Sequence, residues 1–232
     1  MTPRTKEQNE EIRMRRLAQI RKAAADVFLD KGLAMEIRDV AVQASLGYGT
    51  VYHYYSNKGD LLHDLLWVCM ERAGEWLEGF TSPFPSVTEG LSDLSHDRRM
   101  RQVPLAEEES LFSAGIRLLE AWADDHGLYL LYKLAANDFR PLPEARAVPL
   151  VAAFRERVLL PFAAVLGNGD LVFTKPTALD QSENSEALRF AEFRLTALAG
   201  AASLPLRRGT LRTDARDIAA VLFTERTIQR QI

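Results

Sequence analysis

The stretch Glu36–Leu62 reads EIRDVAVQASLGYGTVYHYYSNKGDLL and decides the fold. Ile37, Val40, Ala41 and Ala44 keep the i, i+3, i+4, i+7 spacing of a helix with one buried face, which predicts a short amphipathic helix over Glu36–Ala44. Ser45, Leu46 and Gly47 interrupt it. A second short helix is expected over Tyr48–Tyr55, with Val51 and Tyr55 four residues apart on one face. Thr50, Tyr52, His53 and Tyr54 spread over the rest, so hydroxyls, an imidazole and aromatic rings stand outward together. Two short helices joined by such a turn make a helix-turn-helix, whose second helix can lie in a DNA major groove.

On the N-terminal side, a helix is expected from Glu11 to Lys31. Leu17, Ile20, Ala24, Val27 and Phe28 form its apolar stripe, and Gly32 is its stop. Arg13, Arg15, Arg16, Arg21 and Lys22 cluster in its first half. Two readings stay open for them: a solvated face, or phosphate anchors beside a DNA-reading helix. On the C-terminal side, Ser56–Asp60 is a turn that opens a long helix to about Phe80, with Leu61, Leu62, Leu65, Leu66, Met70 and Ala73 on a broad apolar face.

Beyond it, residues 82–104 carry prolines and serines without clear period and are expected to form a loop or a broken helix. Helices are then expected from Leu105 to Asp124 or Asp125, over Leu128–Phe139, and over Glu144–Leu166 with a kink at Pro161. Residues 170–182 have no helical period; Leu171–Phe173 is a short extended piece at most. A helix rich in small residues is expected over Glu183–Ser203, stopped by Pro205. A last one runs over Asp214–Gln229 with Ile218, Val221 and Leu222 on one side.

Composition bounds the class. The chain has 232 residues, 47% of them hydrophobic, enough for a sizeable core. There is no run of eighteen apolar residues and no apolar leader, so a cytoplasmic protein is expected. A single cysteine, Cys69, can neither pair within the chain nor build a thiolate metal site, and is read as a buried small hydrophobe. The formal net charge of -3 argues against general coating of nucleic acid. Residues 1–62 hold ten Lys/Arg against eight Asp/Glu, so the small basic excess lies with the proposed reader.

These residues resemble a family. Ala24, Ala25, Phe28 and Gly32, then Arg38–Ala41, then Gly49–Tyr55 with Lys58, Leu61 and Leu62, are similar to the N-terminal domain of the TetR family of bacterial transcriptional regulators. The resemblance covers roughly the first 65 residues. It implies an all-α fold: a three-helix helix-turn-helix domain (residues 1–62) joined through a long helix to an all-helical ligand-binding and dimerisation domain (residues 63–232). It further implies a homodimer through the last two helices, bound to a double-stranded DNA operator and released by a small apolar ligand, with no cofactor and no metal.

Arg38, Tyr48, Gly49, Thr50, Tyr52, His53, Tyr54 and Lys58 are the expected DNA-binding residues. Gly49 lets the reading helix approach the duplex, Thr50 offers a hydroxyl to phosphate and a methyl to thymine, and Tyr52 and His53 donate to phosphate oxygens. Lys58 adds charge beside a helix N-terminus. Tyr55 is expected in the core. Glu36 sits where the family commonly has a capping threonine, and Ser45 where it commonly has a glycine. Trp67, Trp122, Tyr129, Tyr132, Asn137 and Phe139 are the candidate ligand-binding residues.

The rival classes are an enzyme, or a helical binding protein in which the helix-turn-helix is only structural. His53, His63, His96 and His126 have no metal-ligand spacing, no Gly-rich phosphate loop follows a strand, and no Ser or Cys nucleophile has a recognisable motif. No catalytic residue is therefore expected. A protein-binding adaptor would not need the Gly49–Lys58 constellation.

Overall fold

The computed structural model describes residues 5–81, 103–166 and 181–223, and every regular element among them is helical. They form two compact units: residues up to 72 with 124–153, and residues 73–123 with those from 154 onward. No helix among the described residues is long and apolar enough to cross a membrane. The expected loop before Val103 and the stretch 170–180 lie outside the described residues, as does the last helix beyond Phe223.

The first unit begins with α1 (Lys6–Lys31). It starts earlier than the expected Glu11, because Thr5 and Gln8 form a reciprocal capping box: the Gln8 N–H donates to Thr5 Oγ1 and the Thr5 N–H to Gln8 Oε1. A 3-10 turn, Gly32–Ala34, leads to α2 (Ile37–Gln43), α3 (Tyr48–Tyr54) and α4 (Lys58–Thr81). Ile20, Ala24, Met35, Val40, Val51, Leu61 and Leu66 are fully buried and hold these helices together. The four follow from their apolar periods, and their bounds fall within a few residues of expectation.

The α2–α3 turn has an unfavourable residue in a key place. The Ser45 N–H returns to the Val42 carbonyl and the Leu46 N–H to the Ala41 carbonyl, which is the Schellman pattern for ending a helix. That pattern puts Ser45 at φ +52°, a left-handed conformation that costs an L-residue about 1–2 kcal/mol. Ser45→Gly is expected to stabilise the protein by about 0.5–1 kcal/mol once the greater freedom of glycine in the unfolded chain is subtracted. A rise in the urea midpoint checks this; an unchanged midpoint would mean that the turn carries no strain.

The first unit is completed by α6 (His126–Ala135) and most of α7 (Glu144–Phe154). α6 starts at Asp125, whose carboxylate caps the Gly127 and Leu128 N–H groups. It ends before the expected Phe139, because Asp138 and Phe139 adopt φ of +51° and +52° and turn the chain. Burial of the Phe139 ring holds that turn.

The second unit contains most of α5 (Val103–Asp124), a π-helical turn (Arg155–Leu159), α8 (Leu160–Leu166), α9 (Gln181–Arg208) and α10 (Leu211–Phe223). The kink expected at Pro161 is a π turn just before it, which absorbs the hydrogen bond that proline cannot donate. Pro205 does not stop α9, contrary to expectation. The helix runs through it and ends at Gly209, where the Gly209 N–H reaches the Leu206 carbonyl and the Thr210 N–H the Pro205 carbonyl. Gly209 has φ +71°, so a residue without Cβ makes the stop. α10 begins ahead of the expected Asp214, and its buried face is Leu211, Ala215, Ala219 and Phe223; Val221 is 81% exposed.

Candidate nucleic-acid interface

α3 is held from beneath and open above. Val51 is fully buried and Tyr55, just past the helix, is 6% exposed, so both anchor it as expected. Tyr48, Gly49, Thr50, Tyr52 and His53 are exposed on the other side, and Tyr54 is half-buried against the edge of the His53 ring. The Tyr48 and Tyr52 rings lie 5.4 Å apart, so the two phenols are presented as a pair. Among the described residues, a Cβ on Gly49 would meet no atom within 4 Å beyond its own chain neighbours and helix backbone. Packing within the chain therefore does not demand glycine there, whereas close approach of a duplex would.

A cleft of about 510 Å³ opens beside this surface, lined by Glu36, Ile37, Arg38, Tyr48 and Lys58. Arg38, Tyr48 and Lys58 are thus brought together. Both cations are engaged within the chain: Lys58 Nζ donates to the Leu33 carbonyl at 2.6 Å, and Arg38 Nε to Glu36 Oε2 at 2.5 Å. Asp39 accepts the Glu36 N–H and the Lys31 ammonium. The Lys31 hydrogen bond holds its carboxyl below the usual carboxylate range.

Three of the arginines of α1 pair along its own exposed face, as a solvated face would. Arg13 pairs with Glu10, Arg15 with Glu11, and Arg16 reaches Gln19, all along the exposed helix. Arg21 does something else. Its Nε donates to Asp64 Oδ2 at 2.7 Å, and the Tyr55 hydroxyl donates to the same oxygen, so one carboxylate on α4 ties α1 to the end of α3. Burial, then the hydrogen bond to Asp64, raise the Tyr55 phenol well above its ordinary range and keep it a donor.

Gln19 Nε2 adds a bond to the Ala44 carbonyl at 2.6 Å, bracing the α2–α3 turn. At the start of α4, Asn57 Oδ1 accepts the Asp60 N–H, Asn57 Nδ2 donates to Asp60 Oδ2, and Arg146 of α7 pairs with Asp60. Farther along, Asp26 of α1 meets His126 Nδ1 at 2.6 Å, and Arg72 of α4 pairs with Asp125. The Asp26 hydrogen bond raises the pKa of His126.

The candidate ligand-binding residues fall in different places. Trp67 is half-buried and donates to His63 Nε2 at 3.0 Å. Tyr129, Tyr132 and Phe139 are buried in the first unit, Asn137 is exposed on the turn after α6, and Trp122 is fully buried in the second unit. Cys69 is buried, and burial pushes its thiol up to about 12, disfavouring the thiolate.

Residues 20–65 match the model of the bacterial regulatory proteins, tetR family. The match spans α1 from Ile20 through the start of α4, the elements just described. No curated protein is significantly similar in sequence. Among solved structures, the fold is similar to the fatty acid degradation regulator FadR from Bacillus halodurans, with TM-score 0.52 and 15% identity over 91% of this chain and 96% of that one. It is similar to a TetR-like transcriptional regulator from a Rhodococcus species, with TM-score 0.53 and 20% identity over 89% and 93%. The TetR family regulator PfmR from Thermus thermophilus gives TM-score 0.54 and 15% identity over 88% and 96%. The N-terminal helix-turn-helix of this chain is that of the TetR family of bacterial regulatory proteins, carried on an all-helical fold shared with TetR-type regulators.

Proposed function

We propose that the protein is a transcriptional repressor that reads an operator in double-stranded DNA as a homodimer, and that a small apolar effector releases it. The observation that carries the DNA reading is α3 itself: a helix anchored by Val51 and Tyr55, with Tyr48, Gly49, Thr50, Tyr52 and His53 all open to solvent beside the Arg38–Lys58 cleft. Thr50, Tyr52 and His53 supply hydroxyl and imidazole donors for phosphate and base edges. In this reading residues 1–62 bind DNA and residues 63–232 sense the effector and dimerise.

One short helix covers few base pairs, so two reading heads are needed, placed roughly 34–36 Å apart. The exposed stripe of α9 supports a second copy as the partner. Phe190, Phe193, Gly200, Ala201 and Leu204 recur at helical spacing and face solvent, with Phe193 70% exposed. An apolar stripe broken by small residues suits close packing of two helices across a two-fold axis. The effector acts by favouring a head spacing unsuited to the operator, which requires unequal affinity for the two states.

The test begins with selection of duplexes from a random pool by the purified protein, followed by affinity measurements. Tyr52→Ala is expected to weaken binding to the selected duplex. Lys58→Ala is expected to weaken binding to every duplex and to make the dependence of log K on log salt shallower by about one unit. Circular dichroism checks that both variants remain folded, which matters for Lys58 because it also holds the Leu33 carbonyl. Full-strength binding by both folded variants would sink the assignment. For the effector, a thermal-shift screen is decisive, since a ligand that prefers the native state raises its melting temperature. Fatty acids belong in that screen because one similar fold is a fatty acid degradation regulator.

A further inference from the structure

We infer that Glu36 is a built-in counter-ion that competes with DNA phosphate for Arg38, and so sets the affinity and salt dependence of the reading cleft. The inference rests on the DNA reading proposed above and assigns a residue to that same site.

The geometry is an acidic side chain lining a cleft that also holds two cations. Glu36 and Arg38 lie two residues apart at the start of α2, with side chains 52% and 74% exposed, and their carboxylate and guanidinium meet at 2.5 Å. Lys58, across the cleft, already donates to the Leu33 carbonyl. Before DNA arrives, each cation in the cleft is thus satisfied from within the chain. An exposed ion pair is weak and easily exchanged, so Arg38 is free to turn to a phosphate. Glu36 is then left as an unpaired anion facing a polyanion, which opposes binding.

Glu36 has no competing structural duty that glutamine would not also fill. Its backbone N–H is capped by Asp39, and a glutamine amide keeps an acceptor oxygen at the start of the helix. The other groups that act on Arg38 are Asp39, held by Lys31, and the Tyr48 phenol. Among the described residues, the Glu36 carboxylate is the one paired with Arg38.

The experiment measures fluorescence anisotropy of labelled duplexes over a series of salt concentrations, with the full-length protein. One duplex is that selected by the wild type and one is of mixed sequence. Glu36→Gln is expected to bind both roughly three- to tenfold more tightly, with the slope of log K against log salt steeper by about 0.9, the signature of one more net positive charge set against phosphate. In Glu36→Gln/Arg38→Gln both gains are expected to vanish. Arg38→Gln should cost more affinity in the Glu36→Gln background than in the wild type.

An unchanged slope in Glu36→Gln, or a gain that persists in the double variant, overturns the counter-ion role. A gain confined to the selected duplex also overturns it, because Glu36 would then be reading a base. Wild-type protein that binds neither duplex at any salt overturns the DNA reading and this inference with it.

Discussion

Replacing Asp64 with alanine is expected to destabilise the protein by about 2–3 kcal/mol and to abolish selective operator binding. One oxygen of this carboxylate receives both the Arg21 guanidinium and the Tyr55 hydroxyl. The Arg21 side chain is only 17% exposed, so losing its partner strands a mostly buried cation. Asp64 itself is 37% exposed, which keeps the cost below that of a fully buried pair. A shift of the denaturant midpoint measures the loss, and a shift worth under about 1 kcal/mol would mean that water replaces the carboxylate.

Stability and positioning can be separated at this network. In Arg21→Met/Asp64→Leu the charges leave together, and apolar groups of similar size recover much of the stability. The Tyr55 hydroxyl still lacks its acceptor, so the end of α3 is no longer tied to α4. Affinity for the selected duplex should remain low while affinity for mixed-sequence DNA, carried by phosphate contacts, changes little. Full recovery of both would show that Tyr55 is held by packing alone.

Much of the helix-turn-helix is legible in the sequence because its information is local. The i, i+3, i+4, i+7 spacing of Ile37, Val40, Ala41 and Ala44, and the Val51–Tyr55 pair, are written in nearby residues, and the structure buries all six. Arg21 and Asp64 are not legible as partners, since they lie 43 residues apart and neither residue type names the other. A signal exists: Arg21 sits in register with Leu17, Ala24 and Phe28 on the apolar stripe of α1, and a charge on a buried face needs a partner. Lys58 is legible only in part. Its place beside α3 reads as phosphate contact, yet nothing in the sequence shows that its ammonium also closes the Leu33 carbonyl.

Helix ends show the same division. By sequence Asp125 reads as the tail of one helix, whereas its carboxylate starts the next by capping Gly127 and Leu128. A carboxylate before an apolar run fits both roles until the backbone is known. Pro205 reads as a stop on the general cost of an interior proline, about 3 kcal/mol. That cost is offset in the fold. The flanking residues Ala202 and Leu206 are buried in the second unit, so continuing the helix keeps their burial, and Gly209 four residues later offers a stop without strain.

Trp122→Ala is expected to show the largest loss, about 3–5 kcal/mol. The indole is 0% exposed in the core of the second unit, and a tryptophan there removes on the order of 150–250 Å² from water. Truncation loses that transfer energy and leaves a cavity that helices can only partly close. Trp122→Phe keeps a ring in place and should lose only about 1–2 kcal/mol. Chemical denaturation followed by far-ultraviolet circular dichroism measures both without relying on tryptophan emission. The size of the alanine effect bears on the effector as well as on the fold. A ring that packs against protein on all sides carries the full cost, whereas a ring bordering open space has fewer contacts to lose. A loss under about 1.5 kcal/mol would therefore make Trp122 the wall of a cavity. In that case an effector from the thermal-shift screen should raise the melting temperature of the wild type and not that of Trp122→Ala. With the full loss, the effector must be met by other side chains, and Trp122→Phe should keep the wild-type response.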